Sequence, residues 1–359
     1  MDTFQEKIRK CPPTDRISKL PRNLIETILM LLPLRDAVRT SILSKKWRYN
    51  WAKITQLVFD KTLIIQDPKE NLQSLQRKLL TAINQVLLLH DGPILKFTLS
   101  FSQLKSSSEI DQFILLLSRN GIEECTFYIS KNPPYTLPSS FFSCSQLKHL
   151  NLSNCEFVTT LTFSGFSRLV SLELNQVNIG ESIGSLVSSC PLLERLTLIG
   201  TTHFEYIEID SPNLKFLKTN VTFGYVHFKN TPLLAVVSIN SYASDNFEHL
   251  NEKEATEMIK VFGCLPVIET LEFGRRFVKF LTVANVPERL PFTLDHLKIL
   301  ELNTLCLGEI ADVSFALCLI KSSPNLKNFA MEVFPSDDAT RPTDLEFLEM
   351  QDYSNVSLN

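Results

Sequence analysis

Residues 147–152 read LKHLNL, and 169–174 (LVSLEL), 193–198 (LERLTL) and 297–302 (LKILEL) repeat its pattern of apolar residues at the first, fourth and sixth places. Weaker copies are ITQLVF from Ile54, the Ile94, Phe97 and Leu99 core of ILKFTL, IEECTF from Ile122, LKFLKT from Leu214, LAVVSI from Leu234, IETLEF from Ile268, LKNFAM from Leu326 and LEFLEM from Leu345. Starts at Leu147, Leu169, Leu193, Leu214 and Leu234 lie 22, 24, 21 and 20 residues apart, inside the roughly 20–29-residue period of a solenoid with one short strand per repeat. In such a strand the fourth and sixth residues face inward and those between them outward, because side chains alternate across a strand. A single copy leaves its apolar edge open. Stacked copies give a parallel sheet over one continuous core, curved because the connecting limbs are bulkier than the strands.

The limbs carry helical patterns over Glu109–Asn120, after a capping box Ser106-x-x-Glu109, and over Ile183–Cys190, Glu252–Phe262 and Ile310–Ser322. A longer one spans Asn71–Leu89, where Leu72, Leu75, Leu79, Ile83 and Val86 keep helical spacing. The outward strand places hold His149, Asn151, Ser171, Glu173, Asn175, Arg195, Thr197, Lys218, Asn220, Ser238, Asn240, Thr270, Glu272, Glu301 and Asn303. This set is polar and mixed in sign, which suits a protein segment; a phosphate backbone would demand dense Lys and Arg, so nucleic acid is not an expected partner. The widest gap, Leu234 to Ile268, contains SYASDNFEHLNEKE, either a loop overhanging the outward face or a tolerated surface insertion.

Ahead of the repeats, residues 15–51 read DRISKLPRNLIETILMLLPLRDAVRTSILSKKWRYNW. Leu24, Ile28 and Leu31 line one helix face while Ile25, Leu29 and Leu32 line the next, so the apolar stripe is wider than one packing surface needs. Leu20-Pro21 sets the entry and Pro33 ends the run, because the residue before a proline avoids helical angles. A second short helix follows from Leu34, and Ser44 caps a third in which Trp47 and Trp51 share a side. Fewer than about 40 residues rarely supply a core of their own, so this hook implies a partner. Arg16, Lys19, Arg22, Arg35, Arg39, Lys45, Lys46 and Arg48 outnumber Asp15, Glu26 and Asp36, which would steer an acidic partner to it.

The stretch LPRNLIETILMLLPLRDAVRTSILSKKWRYNW resembles the plant form of the F-box, and with the repeats behind it the chain looks like a plant F-box/FBD/LRR-repeat protein. The resemblance implies an α/β chain: a small three-helix F-box at 15–52, then a curved leucine-rich-repeat solenoid at 53–350 with a parallel sheet on its concave face. The ends at 1–14 and 351–359 are expected to be flexible. In that family an FBD segment follows the repeats, so a chain ending at Asn359 is expected to carry it partially or not at all, with a frayed C-terminus. By position, Leu20, Pro21, Ile25, Ile28, Leu32, Val38, Leu43 and Trp47 would form or support the surface that docks on a Skp-type linker, and through it on a cullin scaffold. Trp47 is the expected anchor. Concave residues, chiefly His149, Asn151, Glu173, Asn175, Arg195, Lys218, Asn240, Glu272, Glu301 and Asn303, would hold a target protein for ubiquitination, making the chain a substrate receptor. Two other readings stand beside it. One is a hormone-like small-molecule sensor of the F-box/LRR type, with Lys148, Arg168, Arg195, Lys215 and Lys218 as the modest basic cluster it would need. The other is a ligase-independent scaffold.

Whole-chain properties narrow the class. With 359 residues, 44% of them hydrophobic and 21% charged, the chain is globular. Its charged N-terminus and the lack of any apolar run near 18 residues point away from secretion and membranes, toward cytoplasm or nucleus. The eight cysteines form no CxxC pair and read as reduced core residues. No GxSxG, P-loop, GxGxxG or HExxH motif occurs, and the six histidines have no partner at metal-ligand spacing. A non-catalytic adaptor without cofactor or metal is expected, its contribution to ubiquitin transfer being proximity.

Overall fold

The computed structural model describes residues 19–45, 47–63, 71–102, 104–105, 107–130, 133–158, 163–179, 183–200, 204–221, 223–240, 252–306 and 309–334. The expectations for both chain ends, the FBD, Ser106, the LEFLEM copy and residues 241–251 of the long gap fall outside them. The chain divides into two compact units after Ser100.

In the first unit, α1 (Arg22–Met30) starts at Pro21, whose carbonyl accepts from Leu24 N and Ile25 N, each at 3.1 Å. Pro33 does the same for α2 (Leu34–Arg39), accepting from Asp36 N at 2.8 Å and Ala37 N at 2.9 Å. Proline suits both places because a first-turn residue has no intrahelical use for an N–H. The helix expected from Ser44 does not form. Turns lead instead to a 3-10 turn at Asn50–Lys53, in which Trp51 and Ala52 are buried. Two large side chains four residues apart are held inward by turns as well as by a helix, so the spacing alone did not decide between them. Strand β1 (Gln56–Phe59) follows, then α3 (Leu72–Leu89), capped by Asn71, whose side chain accepts from Ser74 N. The α3 stripe is buried only from Leu79 onward; Leu72 is exposed. Strand β2 (Lys96–Ser100) pairs in parallel with β1, and Leu95 N and Lys96 N donate to Thr55 O to set that register.

The second unit runs α4 (Ser108–Arg119), β3 (Glu124–Tyr128), β4 (Tyr135–Thr136), β5 (His149–Ser153), β6 (Cys155–Phe157), β7 (Ser171–Asn175), β8 (Asn178–Ile179) and α5 (Ile183–Ser188). It continues with β9 (Arg195–Ile199), β10 (Phe204–Ile209), β11 (Phe216–Asn220), β12 (Phe223–Phe228), β13 (Val236–Ile239), α6 (Glu252–Phe262) and β14 (Thr270–Gly274). Last come α7 (Arg275–Leu281), β15 (Ile299–Cys306), α8 (Ile310–Lys321) and β16 (Asn328–Phe334). Every described copy of the hexapeptide forms a strand. In this unit they pair in parallel in chain order, β3-β5-β7-β9-β11-β13-β14-β15-β16, one strand per repeat. The first, fourth and sixth residues build the core: Leu147, Leu150 and Leu152, Leu169, Leu172 and Leu174, and Leu193, Leu196 and Leu198 are all at most 2% exposed. Edge-to-face phenylalanines fill the limbs, Phe141 meeting Phe127 at 6.4 Å and Phe166 at 6.0 Å. The last copy is looser. Met331 on β16 is exposed because, among the described residues, no further strand covers it.

At the end of three successive strands the backbone enters the left-handed region, at Asn154 (φ 59°), Gln176 (φ 53°) and Gly200 (φ 54°). All three stand seven residues after their repeat's first leucine. Their N–H groups donate to the next repeat, at Asn175 O, Ile199 O and Gly200's partner Asn220 O. The turn sends the chain into a second line of short strands, β4-β6-β8 and then β10-β12. Gly suits such a place because it has no Cβ to meet the following carbonyl, and Asn because its short amide bonds locally, while Gln176 takes the same conformation against that preference; Asn154 adds a buried side-chain bond to Ile129 O at 2.8 Å.

Helices occupy the limbs as the patterns predict, with one addition. Helix α7 follows β14 directly and buries Phe277, Val278, Phe280 and Leu281. The run RRFVKFL is too short for periodicity to separate helix from strand. Helix α4 starts one residue earlier than expected, capped by Ser107 without a side-chain bond.

Candidate interaction surfaces

Helix α1 divides its apolar residues between two fates. Ile25 and Leu29 are buried, whereas Leu24 (47% exposed), Ile28 (39%) and Leu31 (81%) point out on one face. Leu32, Ile42, Leu43 and Tyr49 are also exposed, giving the unit a band of large apolar side chains that its own core does not cover. Of the sequence-expected set, Pro21, Ile28, Leu32 and Leu43 lie at the surface, Leu20 and Val38 are half-buried, and Ile25 and Trp47 are inside. The expectation of Trp47 as an interface anchor is corrected here. At 2% exposure it is shielded by this chain's own atoms and belongs to the core of the first unit. Leu24, Leu31, Ile42 and Tyr49 lie in the exposed band but outside the expected docking set, although the sequence places Leu24 and Leu31 on the outer stripe with Ile28. Arg22 pairs with Glu26 at 3.0 Å and Arg39 with Asp36 at 3.7 Å, both at the surface.

On the sheet of the second unit, the register sets the outward residues in rows. One row crosses Glu124, His149, Ser171, Arg195, Phe216, Val236, Thr270, Ile299 and Asn328. The next crosses Thr126, Asn151, Glu173, Thr197, Lys218, Ser238, Glu272, Glu301 and Ala330. Asn175 and Asn220 lie further along, with Asn240 and Asn303 both bonded to Glu272 Oε1, at 3.4 and 3.1 Å. The expectation of a wholly polar face is therefore corrected: Phe216, Val236 and Ile299 are outward and half-buried. They were legible as the third residues of LKFLKT, LAVVSI and LKILEL. Ser238, expected to be outward and available, is 2% exposed.

Three members of the basic cluster that the small-molecule-sensor reading needs are engaged within the chain. Lys148 pairs with Glu123 at 2.8 Å and Lys215 with Glu194 at 2.9 Å, each across adjacent repeats just before the strand. Arg195 lies with its guanidinium 4.0 Å from the Phe216 ring centre. Lys279 on α7 is mostly buried; it pairs with Glu309 and reaches the fully buried Asp312 at 3.1 Å.

Cys125, Cys144, Cys155, Cys190 and Cys318 are buried free thiols, while Cys264 is free and exposed. Burial pushes Cys144 and Cys155 up to about 12 and Cys318 to about 11. Cys125 is raised as well, first by burial and then by its neighbours Cys144 and Cys155. These shifts oppose thiolate formation, the reverse of what a nucleophile needs.

A model of the F-box domain matches residues 17–54. A second model, described as the LRR repeats of FBD-associated F-box protein At5g56370, matches residues 110–331. Among curated proteins, F-box/FBD/LRR-repeat protein At1g13570 of Arabidopsis thaliana is 39% identical over 324 residues, covering 89% of this chain and 76% of the relative. The chain belongs to the F-box/FBD/LRR-repeat family. Another relative, F-box/LRR-repeat protein At3g59200 of the same plant, is 33% identical over 68% of this chain and 49% of its own length. This F-box/FBD/LRR-repeat protein thus spans about half the length of that relative. No described helix is long and apolar enough to cross a membrane.

Proposed function

We propose that the chain is the substrate-receptor subunit of an SCF-type ubiquitin ligase, acting without catalysis of its own. Its F-box, residues 15–52, docks on an acidic Skp-type linker and through it on a cullin scaffold, while the repeats hold a target protein. The exposed band of Leu24, Ile28, Leu31, Ile42 and Leu43 carries this reading, because a free chain gains nothing from leaving so much apolar surface in water. Anchors of this kind dominate interface energy when they fill pockets on a partner. Tethering a target beside the conjugating enzyme then raises the effective concentration of its lysines without any new bond-making group on this chain.

The test is co-purification with a plant Skp-type linker. Wild type is expected to be retained, and Leu31→Asp/Ile42→Asp to lose about 100-fold in affinity, with far-UV circular dichroism unchanged because both side chains already face water. Failure of the wild-type chain to bind, or equal retention of the variant, would overturn the proposal.

A further inference from the structure

The rows on the second unit's sheet are unequal along their length. From β11 to β15 the first row turns apolar, with Phe216, Val236 and Ile299 interrupted only by Thr270. At about 4.8 Å per strand the strip is roughly 14 Å wide. Alongside it in the second row, Glu272 and Glu301 are directly opposed on neighbouring parallel strands. Like charges placed opposite each other on a sheet destabilise it. The amides of Asn240 and Asn303 hold Glu272 in place but leave its charge intact. Among the described residues, no Lys, Arg or His nitrogen comes within 4 Å of either carboxylate, and Lys218 stands two strands from Glu272. At the other end of the strip Arg195 covers Phe216 and presents positive charge.

Resting on the reading of this face as the target surface, we propose that it recognises a basic target segment: an apolar side chain seated on the Val236–Ile299 strip, with a Lys or Arg reaching the Glu272–Glu301 pair. A cation there removes the repulsion between the two carboxylates and is attracted by both. Arg195 repels the same cation from the β9–β11 end, so the charge pattern fixes which way the segment lies. An acidic segment meets the opposite field and is rejected.

The experiment displays random 12-residue peptides to the full-length chain bound to its Skp-type linker. The retained pool is expected to be enriched in Lys or Arg near an apolar residue. Its best peptide should weaken about tenfold on Glu272→Gln/Glu301→Gln, and as salt is raised toward 0.5 M, while Val236→Ser removes the apolar preference. Thermal melting of each variant reports whether the sheet persists, and the salt series needs no variant. An acidic or purely apolar pool, or a basic pool indifferent to Glu272→Gln/Glu301→Gln, overturns the proposal and leaves the face a recognition surface. Retention of no peptide at all at about 100 μM, a level at which even weak segments bind detectably, overturns both this proposal and the reading on which it rests.

Discussion

The hook and the repeats draw on the same leucines and isoleucines and place them differently. In β5, β7 and β9 each hexapeptide's first, fourth and sixth residues are at most 2% exposed, and the neighbouring repeat supplies the other wall. In α1 only alternate faces are satisfied: Ile25 and Leu29 are inside, while Leu24, Ile28 and Leu31 stay in water. A strand of period two sorts its side chains onto two faces, and stacking closes the inner one. A helix with apolar residues on more than one face needs two surfaces, and the first unit provides one. Self-sufficiency in the repeats and insufficiency in the hook are thus two outcomes of the same burial energy, of about 25 cal/mol per Å².

The sharpest way to break this contrast is to exchange inside for outside in the hook. Trp47→Ala empties a buried site and is expected to destabilise the first unit by about 3–5 kcal/mol, whereas Leu31→Ser leaves its stability within about 0.5 kcal/mol. Both tryptophans, Trp47 and Trp51, are buried in that unit and no others exist in the chain. Urea titration followed by their fluorescence therefore reads the hook. A large loss from Leu31→Ser would show that the exposed band is part of the fold.

The second contrast lies within the repeats. Lys279→Met removes a partner of the buried Asp312 and is expected to cost about 3 kcal/mol. Lys298→Met breaks the exposed pair with Glu269 and is expected to change stability by less than about 1 kcal/mol. Denaturant unfolding followed by far-UV circular dichroism separates the two, and equal effects would contradict the role assigned to burial.

A further effect, confined to alkaline solution, concerns pH. Thiols whose folded pKa lies above the ordinary value of about 9 keep their proton longest in the native state. Stability is therefore untouched below pH 9 and falls between pH 9 and about 12, where the unfolded chain ionises Cys144 and Cys155 and the folded chain does not. Melting curves across that window should slope downward, and less steeply in Cys144→Ala. An unchanged slope would show that other groups set the alkaline limit.

Much of this was legible in the order of residues. The hexapeptides marked every described strand of the main sheet, since positions one, four and six leave a strand only one way to face, and the spacing of 20–24 residues from Leu147 to Leu234 set the parallel stacking, but nothing in them foretold the second line β4-β6-β8 and β10-β12. The two apolar faces of α1 were legible too, but not which one would be covered. The third hook helix failed because Trp47 and Trp51 at a four-residue spacing satisfy a helix and a pair of turns equally. The outward Phe216, Val236 and Ile299 stand at the same third places as the polar residues of the other repeats, so position in the hexapeptide, not polarity, marks this face.

What the amino-acid order decided by itself is local and periodic: where strands fall, which side chains face the core, that α1 carries more apolar surface than one contact can use. What only the tertiary structure decided is which residues become neighbours across repeats. Glu272 opposes Glu301, Arg195 lies over Phe216, and Lys148 reaches Glu123 because of strand register, a property of stacking. The register depends on how limbs of different length pack, and no window of one repeat contains that information.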